Sequence, residues 1–251
     1  MILTSDAGGV RTLTLNRPDK LNAFNDAQFD ALADAVLDAG SDDTVKVVVL
    51  TGAGRAFSAG ADLSGDRQGQ NIRHGFPGCV DVLIDLEKPL LLAINGLGVG
   101  IGATIVGLAD AAFMSESARL RCPFSALGLT AEACSTYTFP MLMGRHKASW
   151  FLLSAEWLSA QQCVEAGLVA DVLPDDGFLS AVQEKAATLA KLPMSSLRQT
   201  KSLIMSPHKE AMRAAAKAEN EGLASLRGGA ANVEAVTAFA EKREPDFSGI
   251  N

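Results

Sequence analysis

Histidine and cysteine are scarce: the 251 residues hold three of the first and four of the second. Cys79, Cys122, Cys134 and Cys163 lie far apart, with no C-x-x-C pair and no histidine partner close by. This argues against structural zinc and a dithiol redox centre, and a chain of this size needs no disulfide framework. Reduced, cytosol-like surroundings are the expectation. His74, His146 and His208 stand singly in polar or helix-end contexts, so neither a metal site nor a histidine base is expected. Positive charge is also in deficit, with 22 Lys and Arg against 29 Asp and Glu and a net charge of −7. Non-specific nucleic-acid or anionic-membrane binding is therefore not expected. No apolar run reaches the roughly 18 residues of a membrane span. The opening MILTSDAGGV lacks the pattern of a secretory signal, and Ser-Gly-Ile-Asn at the end is not a Ser-Lys-Leu address. A cytoplasmic protein is expected.

Nucleotide signatures are missing too. The glycines at 96, 98, 100 and 102 fall at every second position, not in the G-x-G-x-x-G spacing of a pyrophosphate turn, and no Gly-Lys-Ser/Thr occurs. VVVLTGAGR does not complete a dehydrogenase turn, because Ala56 stands where glycine is needed. The same alanine removes Ser58 as the centre of a G-x-S-x-G nucleophile elbow.

What is present is 48% hydrophobic and 20% charged residues, enough for one large domain, with or without an appendage. Residues 1–16 read as a β-hairpin turning at Asp6–Gly9. NRPDKLNAFN is irregular, and Asn25 with Gln28 resembles a capping box ahead of a helix over 26–39. Val45–Leu50 reads as a buried parallel strand and 51–65 as a Gly-rich loop. Residues 66–80 read as a mobile polar loop, with a short helix closing at Val82–Leu86. From Leu90 to Met114 the chain reads strand, glycine turn, helix, strand. Arg119–Cys122 is extended; 135–142, 146–153 and 159–166 are short helices; Val169–Leu173 is a strand. A helix then ends at Pro193, Met212–Leu226 marks a long one, and Val233–Phe239 the last. The late helices have Ala-rich outer faces that either meet another subunit or simply cap the core. Strands paired with helices followed by helices alone predict an α/β core with a helical C-terminal part.

Two Gly-flanked turns, FSAGADL and NGLGVGIG, each follow a strand. If those strands are neighbours, the turns open at the same end of the sheet, and two bare N–H groups converge on a developing oxyanion. Tight turns shaped only for packing would look the same.

Four blocks in order, NRPDKLNAFN, VVVLTGAGRAFSAGADL, AINGLGVGIGATIVGLADAAF and AGLVADVLP, resemble the crotonase superfamily of acyl-CoA enzymes over nearly the whole chain. The resemblance implies a ββα spiral core over 1–192 and a helical region over 193–251 that builds homotrimers, often paired into hexamers, and covers the site. It implies an acyl-CoA thioester substrate, with no separate cofactor or metal. The N–H groups of Ala61 and Ile101 take the oxyanion positions. Lys20, Leu21 and Ala23, with Ala59, Gly60, Asp62 and Leu63, hold the CoA moiety, and Arg17 and Lys20 stand where phosphate contacts are reasonable. Hydratases of this superfamily carry acids at the positions of Thr104 and Phe124; neither residue here can manage water. The block CPFSALGLTAEACSTYTFPMLMG instead resembles Δ3,Δ2-enoyl-CoA isomerases of the peroxisomal type, in which one catalytic glutamate matches Glu132. Its neighbours Leu129, Ala131, Ala133 and Cys134 form a setting that raises a carboxyl pKa. Read without the resemblance, Glu132 would simply open the next helix. The reaction implied is a shift of the double bond of 3-enoyl-CoA to 2-trans-enoyl-CoA in fatty-acid β-oxidation. Hydration or another crotonase reaction is the alternative, and a non-catalytic acyl-CoA-binding protein a second. The segment 66–80 and the surroundings of Tyr137 and Phe139 are candidates for the acyl tail.

Overall fold

The computed structural model describes residues 1–62 and 71–250. The hairpin forms as expected: β1 (Ile2–Ala7) and β2 (Val10–Leu15) pair antiparallel, with Ala7 opposite Val10. Next come α1 (Asp26–Ser41), β3 (Val47–Gly52), β4 (Ala56–Ser58), α2 (Gly75–Asp85), β5 (Leu90–Ile94) and β6 (Leu97–Val99). A single turn, α3 (Ile101–Thr104), tightens into a 3-10 turn before β7 (Ala111–Ser115) and β8 (Arg119–Arg121). The remainder comprises α4 (Ser135–Met143), α5 (Arg145–Ser154), β9 (Trp157–Ser159), α6 (Ala160–Ala166), β10 (Asp171–Leu173), α7 (Phe178–Ala190), α8 (Met194–Leu226) and α9 (Ala230–Glu241). None of the described helices is long and apolar enough to cross a membrane.

Among the described residues the strands form two sheets. The larger has the order β1-β2-β3-β5-β7-β10, parallel from β2 onward. The smaller, β4-β6-β8-β9, is parallel except for its last pair. Strand β3 shows why its sequence is apolar without alternation: both faces are covered. Val48 and Leu50 enter the main core with Leu32 and Val36 of α1 and Leu83 of α2. Val47 and Val49 pack on Phe178, Val182 and Ala186 of α7. An α/β core followed by helices is thus what the pattern of elements implied.

Several local expectations are corrected. The run 51–65 is not all loop, since β4 lies inside it and pairs in the second sheet. Likewise Leu97–Val99 of the glycine run is a strand, not a turn. Asn25 caps α1 by accepting from the Gln28 N–H at 2.9 Å, but the Gln28 amide is buried without a partner, so the box is half made. Helix α8 extends upstream to Met194 through Pro207. Of the polar segment expected over 66–80, residues 66–70 lie outside the described residues, and α2 already begins at Gly75.

The early start of α2 has a tertiary cause. Asp30 on α1 accepts the N–H groups of Arg73, His74 and Gly75 at 2.9, 2.8 and 2.8 Å. These donors outweigh the cost of its burial and hold the carboxyl down at about 2. Replacing Asp30 with alanine is expected to lower stability by about 0.5–2 kcal/mol, the range of a lost helix cap. Because the folded pKa is depressed from 3.8, the contribution is complete above that value and fades as pH falls toward about 2. Denaturant melts of the wild type and variant at pH 7 and pH 2 check this: the difference should shrink in acid.

Candidate active site

Strands β4 and β6 are parallel neighbours, Ala56 opposite Leu97 and Ser58 opposite Gly98. The two glycine turns that follow them therefore leave the small sheet side by side. Contact between them is backbone to backbone. A Cβ on Gly60, where φ is +87°, would lie 2.7 Å from the Val99 carbonyl oxygen. Gly100, at φ 54° and ψ −122°, adopts a conformation closed to other residues and turns the chain into α3. The neighbouring glycines serve packing: Cβ atoms at Gly96, Gly98 and Gly102 would sit within 2.6 Å of backbone oxygens. At these three positions the packing reading of the glycine run holds. Neither the Ala61 nor the Ile101 N–H has a partner among the described residues. Helix α3 is one turn long, so it offers discrete N–H donors at its start rather than a macrodipole.

Glu132 is buried, 8% exposed, and its Oε1 accepts from Thr104 Oγ1 of α3 at 2.6 Å. Thr104 thereby ties the carboxyl to the helix turn that carries Ile101. Burial pushes the Glu132 pKa up to about 8; the Thr104 bond opposes this, and the charge of Glu219 adds to it. Ala133 and Cys134 follow with φ of 57° and 62°, a left-handed pair of non-glycine residues. Each costs about 1–2 kcal/mol. Ionisation of Glu132 is favoured once the chain unfolds, so this group's contribution to stability is complete below 4.5 and is lost as pH rises through about 8. Removing the Thr104 hydroxyl in Thr104→Val removes a bond to the ionised form. The midpoint of Glu132 is expected to move upward, as would any pH–rate limb that depends on it. A pH–rate profile of the variant in which that limb stayed put would contradict the assignment.

The remaining positions named from the sequence split into two groups. Leu21, Ala23, Ala59, Gly60, Ala61 and Asp62 are brought together, because the chain from 17 to 25 pairs with the turn after β4. Ala59 N–H donates to Leu21 O at 2.9 Å, Phe24 N–H to Gly60 O at 2.7 Å, and Asp62 N–H to Phe24 O at 2.7 Å. The Arg17 guanidinium binds Asp62 at 2.8 Å and the Ala23 carbonyl at 2.5 Å, so it braces this pairing rather than standing open. Lys20 is exposed at the end of a 3-10 turn over Pro18–Lys20. Leu63 lies outside the described residues.

Sequence reasoning passed over Asn22, Ser58 and the constructive role of Thr104. Asn22 is fully buried at φ 58°, accepts the Arg17 N–H at 2.9 Å and donates to the carbonyls of Ala53 and Ala56 at 2.9 and 2.8 Å. Tolerance of the left-handed region, common for asparagine, is the signal that pointed to it. Ser58 donates to Asn22 O at 3.0 Å and accepts from Gly60 N–H at 3.2 Å, a brace for the turn rather than a nucleophile.

Between α2 and α8 lies a cavity of about 500 Å³, lined by Phe76, Pro77, Val80, Ala133, Ala216 and Ala224 among others. Ala133, the residue after Glu132, is part of its lining. Of the two regions suggested for an acyl tail, the segment 66–80 contributes Phe76, Pro77 and Val80 to this lining. Tyr137 and Phe139 do not: Phe139 is fully buried against Phe151, and Tyr137 shares a 2.9 Å hydrogen bond with His208.

A sequence profile described as enoyl-CoA hydratase/isomerase matches residues 5–250. The chain is 39% identical to the enoyl-CoA delta isomerase 2 of Rattus norvegicus over 85% of its own length, and it spans 56% of that relative. It is 35% identical to the 1,2-epoxyphenylacetyl-CoA isomerase of Escherichia coli, covering 99% of this chain and 98% of the other. To the 2,3-dehydroadipyl-CoA hydratase of the same organism it is 32% identical, over 99% and 98%. Among solved structures, an enoyl-CoA hydratase/isomerase from Pseudoalteromonas atlantica superposes with a TM-score of 0.92 at 34% identity, covering 98% of this chain and 99% of that one.

Proposed function

Since the chain belongs to the enoyl-CoA hydratase/isomerase family, we propose that it moves the double bond of a 3-enoyl-CoA to the 2-trans position. The observation that carries this reading is a buried carboxyl, Glu132, held against the helix turn that presents one of the two N–H groups without a partner among the described residues. The thioester oxygen sits between Ala61 N–H and Ile101 N–H, which acidifies the proton on C2. Glu132 takes that proton through Oε2, the oxygen that Thr104 leaves free. The dienolate is held by the two donors, each worth about 2.7–4 kcal/mol in the transition state. The same carboxyl returns the proton at C4. A base whose pKa lies near 8 suits both directions of transfer.

Hydration needs a second group beside the first to manage water. The charge that most affects Glu132 is that of Glu219, but both Glu219 oxygens are filled by backbone and threonine donors. Thr104 fills another position where an acid would be needed. The acyl tail would follow Ala133 into the cavity between α2 and α8. The CoA moiety would lie along 20–24 and 59–62, with exposed Lys20 placed to meet a phosphate. Exposed apolar side chains on α5 and α9, Trp150, Leu153 and Phe239 at 62, 71 and 71%, support self-association into a homotrimer or hexamer.

Purified protein incubated separately with 3-enoyl-CoA and 2-enoyl-CoA tests the reading, with conjugation and hydration followed independently. Fast conjugation of the first with slow hydration of the second is expected. Hydration as fast as conjugation would overturn it, and tight binding without turnover would favour a non-catalytic acyl-CoA-binding protein.

A further inference from the structure

Helix α8 buries few of its residues, Met212 and Glu219 among them. A buried carboxylate on a largely exposed helix requires partners that compensate its desolvation. Those partners all come from one short stretch. Glu219 Oε2 accepts Cys134 N–H at 2.7 Å, and Oε1 accepts Thr136 N–H at 2.9 Å and Thr136 Oγ1 at 2.6 Å. The stretch starts directly after Glu132, at the left-handed pair Ala133–Cys134, where Cys134 makes no capping hydrogen bond of its own with its side chain. The same loop is gripped at two further points. A Cβ on Gly222, one turn along α8, would lie 2.9 Å from Thr130 Cγ2. Asn232 of α9 donates to Leu127 O at 2.8 Å.

We propose that Glu219 is the positioning residue for Glu132: its carboxylate locks the left-handed turn at 133–134 and so fixes where the base carboxyl stands relative to Ala61 and Ile101. The C-terminal helices then do more than cover the site or meet a neighbouring subunit; they hold the base in register. This inference rests on the reading of Glu132 as the base. The titratable groups that act on Glu132 or feel its charge are Glu219 from α8, Cys122 just past β8 and Cys134. Asp81 of α2 and Arg213 of α8 act on Cys134.

Glu219→Gln keeps the shape but offers an acceptor at one end only, so either Cys134 or Thr136 loses its partner. Its kcat for 3-enoyl-CoA is expected to fall about tenfold to a hundredfold with KM little changed, the size of effect produced by misplacing a reacting group by about an ångström. In carbon-13 glutamate NMR, with the Glu132 signal assigned through Glu132→Gln, the Glu132 titration should move to lower pH. Removing the Glu219 charge shifts that titration in either case, so the kcat-against-KM split decides: a purely structural cap would lower thermal stability with kcat unchanged. Thr136→Val removes one bond, leaves the charge, and should lower kcat about threefold, the scale of one hydrogen bond. This variant decides the matter if Glu219→Gln fails to fold. If Glu132→Gln is inactive while Thr136→Val and a folded Glu219→Gln keep wild-type kcat, the inference is overturned. If Glu132→Gln stays active, it is the base assignment that falls.

Discussion

Glu132→Gln is expected to lower kcat for double-bond isomerisation by about 10³-fold or more, because one positioned acid–base group contributes about 10²–10⁴-fold and in the proposed mechanism a single carboxyl makes both transfers. Glutamine keeps the volume of the side chain, and its carbonyl oxygen can still accept the Thr104 hydroxyl that lies 2.6 Å from Oε1. It cannot take a proton from carbon at neutral pH. Removing a carboxyl whose pKa stands at about 8 also removes a buried group that the fold holds against its ionisation. The variant should therefore be at least as stable as the wild type above pH 8. Low activity combined with an unchanged or raised melting temperature and undiminished acyl-CoA binding is the expected pattern. Isomerisation at the wild-type rate would remove Glu132 from the mechanism, whatever the family likeness.

The second large effect is expected at Gly60. A methyl group there meets the Val99 carbonyl at 2.7 Å, on a residue whose φ of +87° already disfavours any side chain. Neither neighbour is a flexible side chain that can give way, so the two turns must separate. The proposed convergence of Ala61 N–H and Ile101 N–H on one oxygen would then be lost. Losing one such donor costs about 2.7–4 kcal/mol, or about 10²–10³-fold in rate. Gly60→Ala should lose at least that much kcat, with a destabilisation of about 1–3 kcal/mol from the strained backbone. Proton exchange at C2 of a saturated acyl-CoA, followed by deuterium incorporation, isolates the oxyanion contribution from the later transfer to C4. Wild-type exchange in a folded Gly60→Ala protein would show that the turns do not form the oxyanion site.

Much of this arrangement was legible from residues alone. Leu90–Ile94 and Val45–Leu50 read as buried strands because apolar side chains on both faces leave no alternation, and the strands form over Leu90–Ile94 and Val47–Gly52. The helix over 26–39 showed its asparagine cap and its Phe29, Leu32 and Val36 face. Where the reading failed, the decisive partner lay far away in the chain. The start of α2 was missed because its cap is Asp30, on another helix. Strands β4 and β6, three residues each, are too short to carry a periodic signal, and pairing made them strands. Helix α8 begins at Met194, upstream of the expected stretch Met212–Leu226, and runs through Pro207; its upstream side chains are mostly exposed and leave no apolar period to read.

The amino-acid sequence by itself determined the parallel apolar strands, the glycines at 60 and 100 that no other residue replaces without strain, and a lone carboxyl at 132 beside small apolar neighbours. These follow from local sterics, side-chain period and residue chemistry, which act over a few residues. Tertiary structure decided which turns face each other, that Thr104 is the partner of Glu132, and that Glu219, 85 residues after Cys134, fastens the turn that follows Glu132. Those contacts exist only once burial has brought distant segments together and required every enclosed polar group to find a partner.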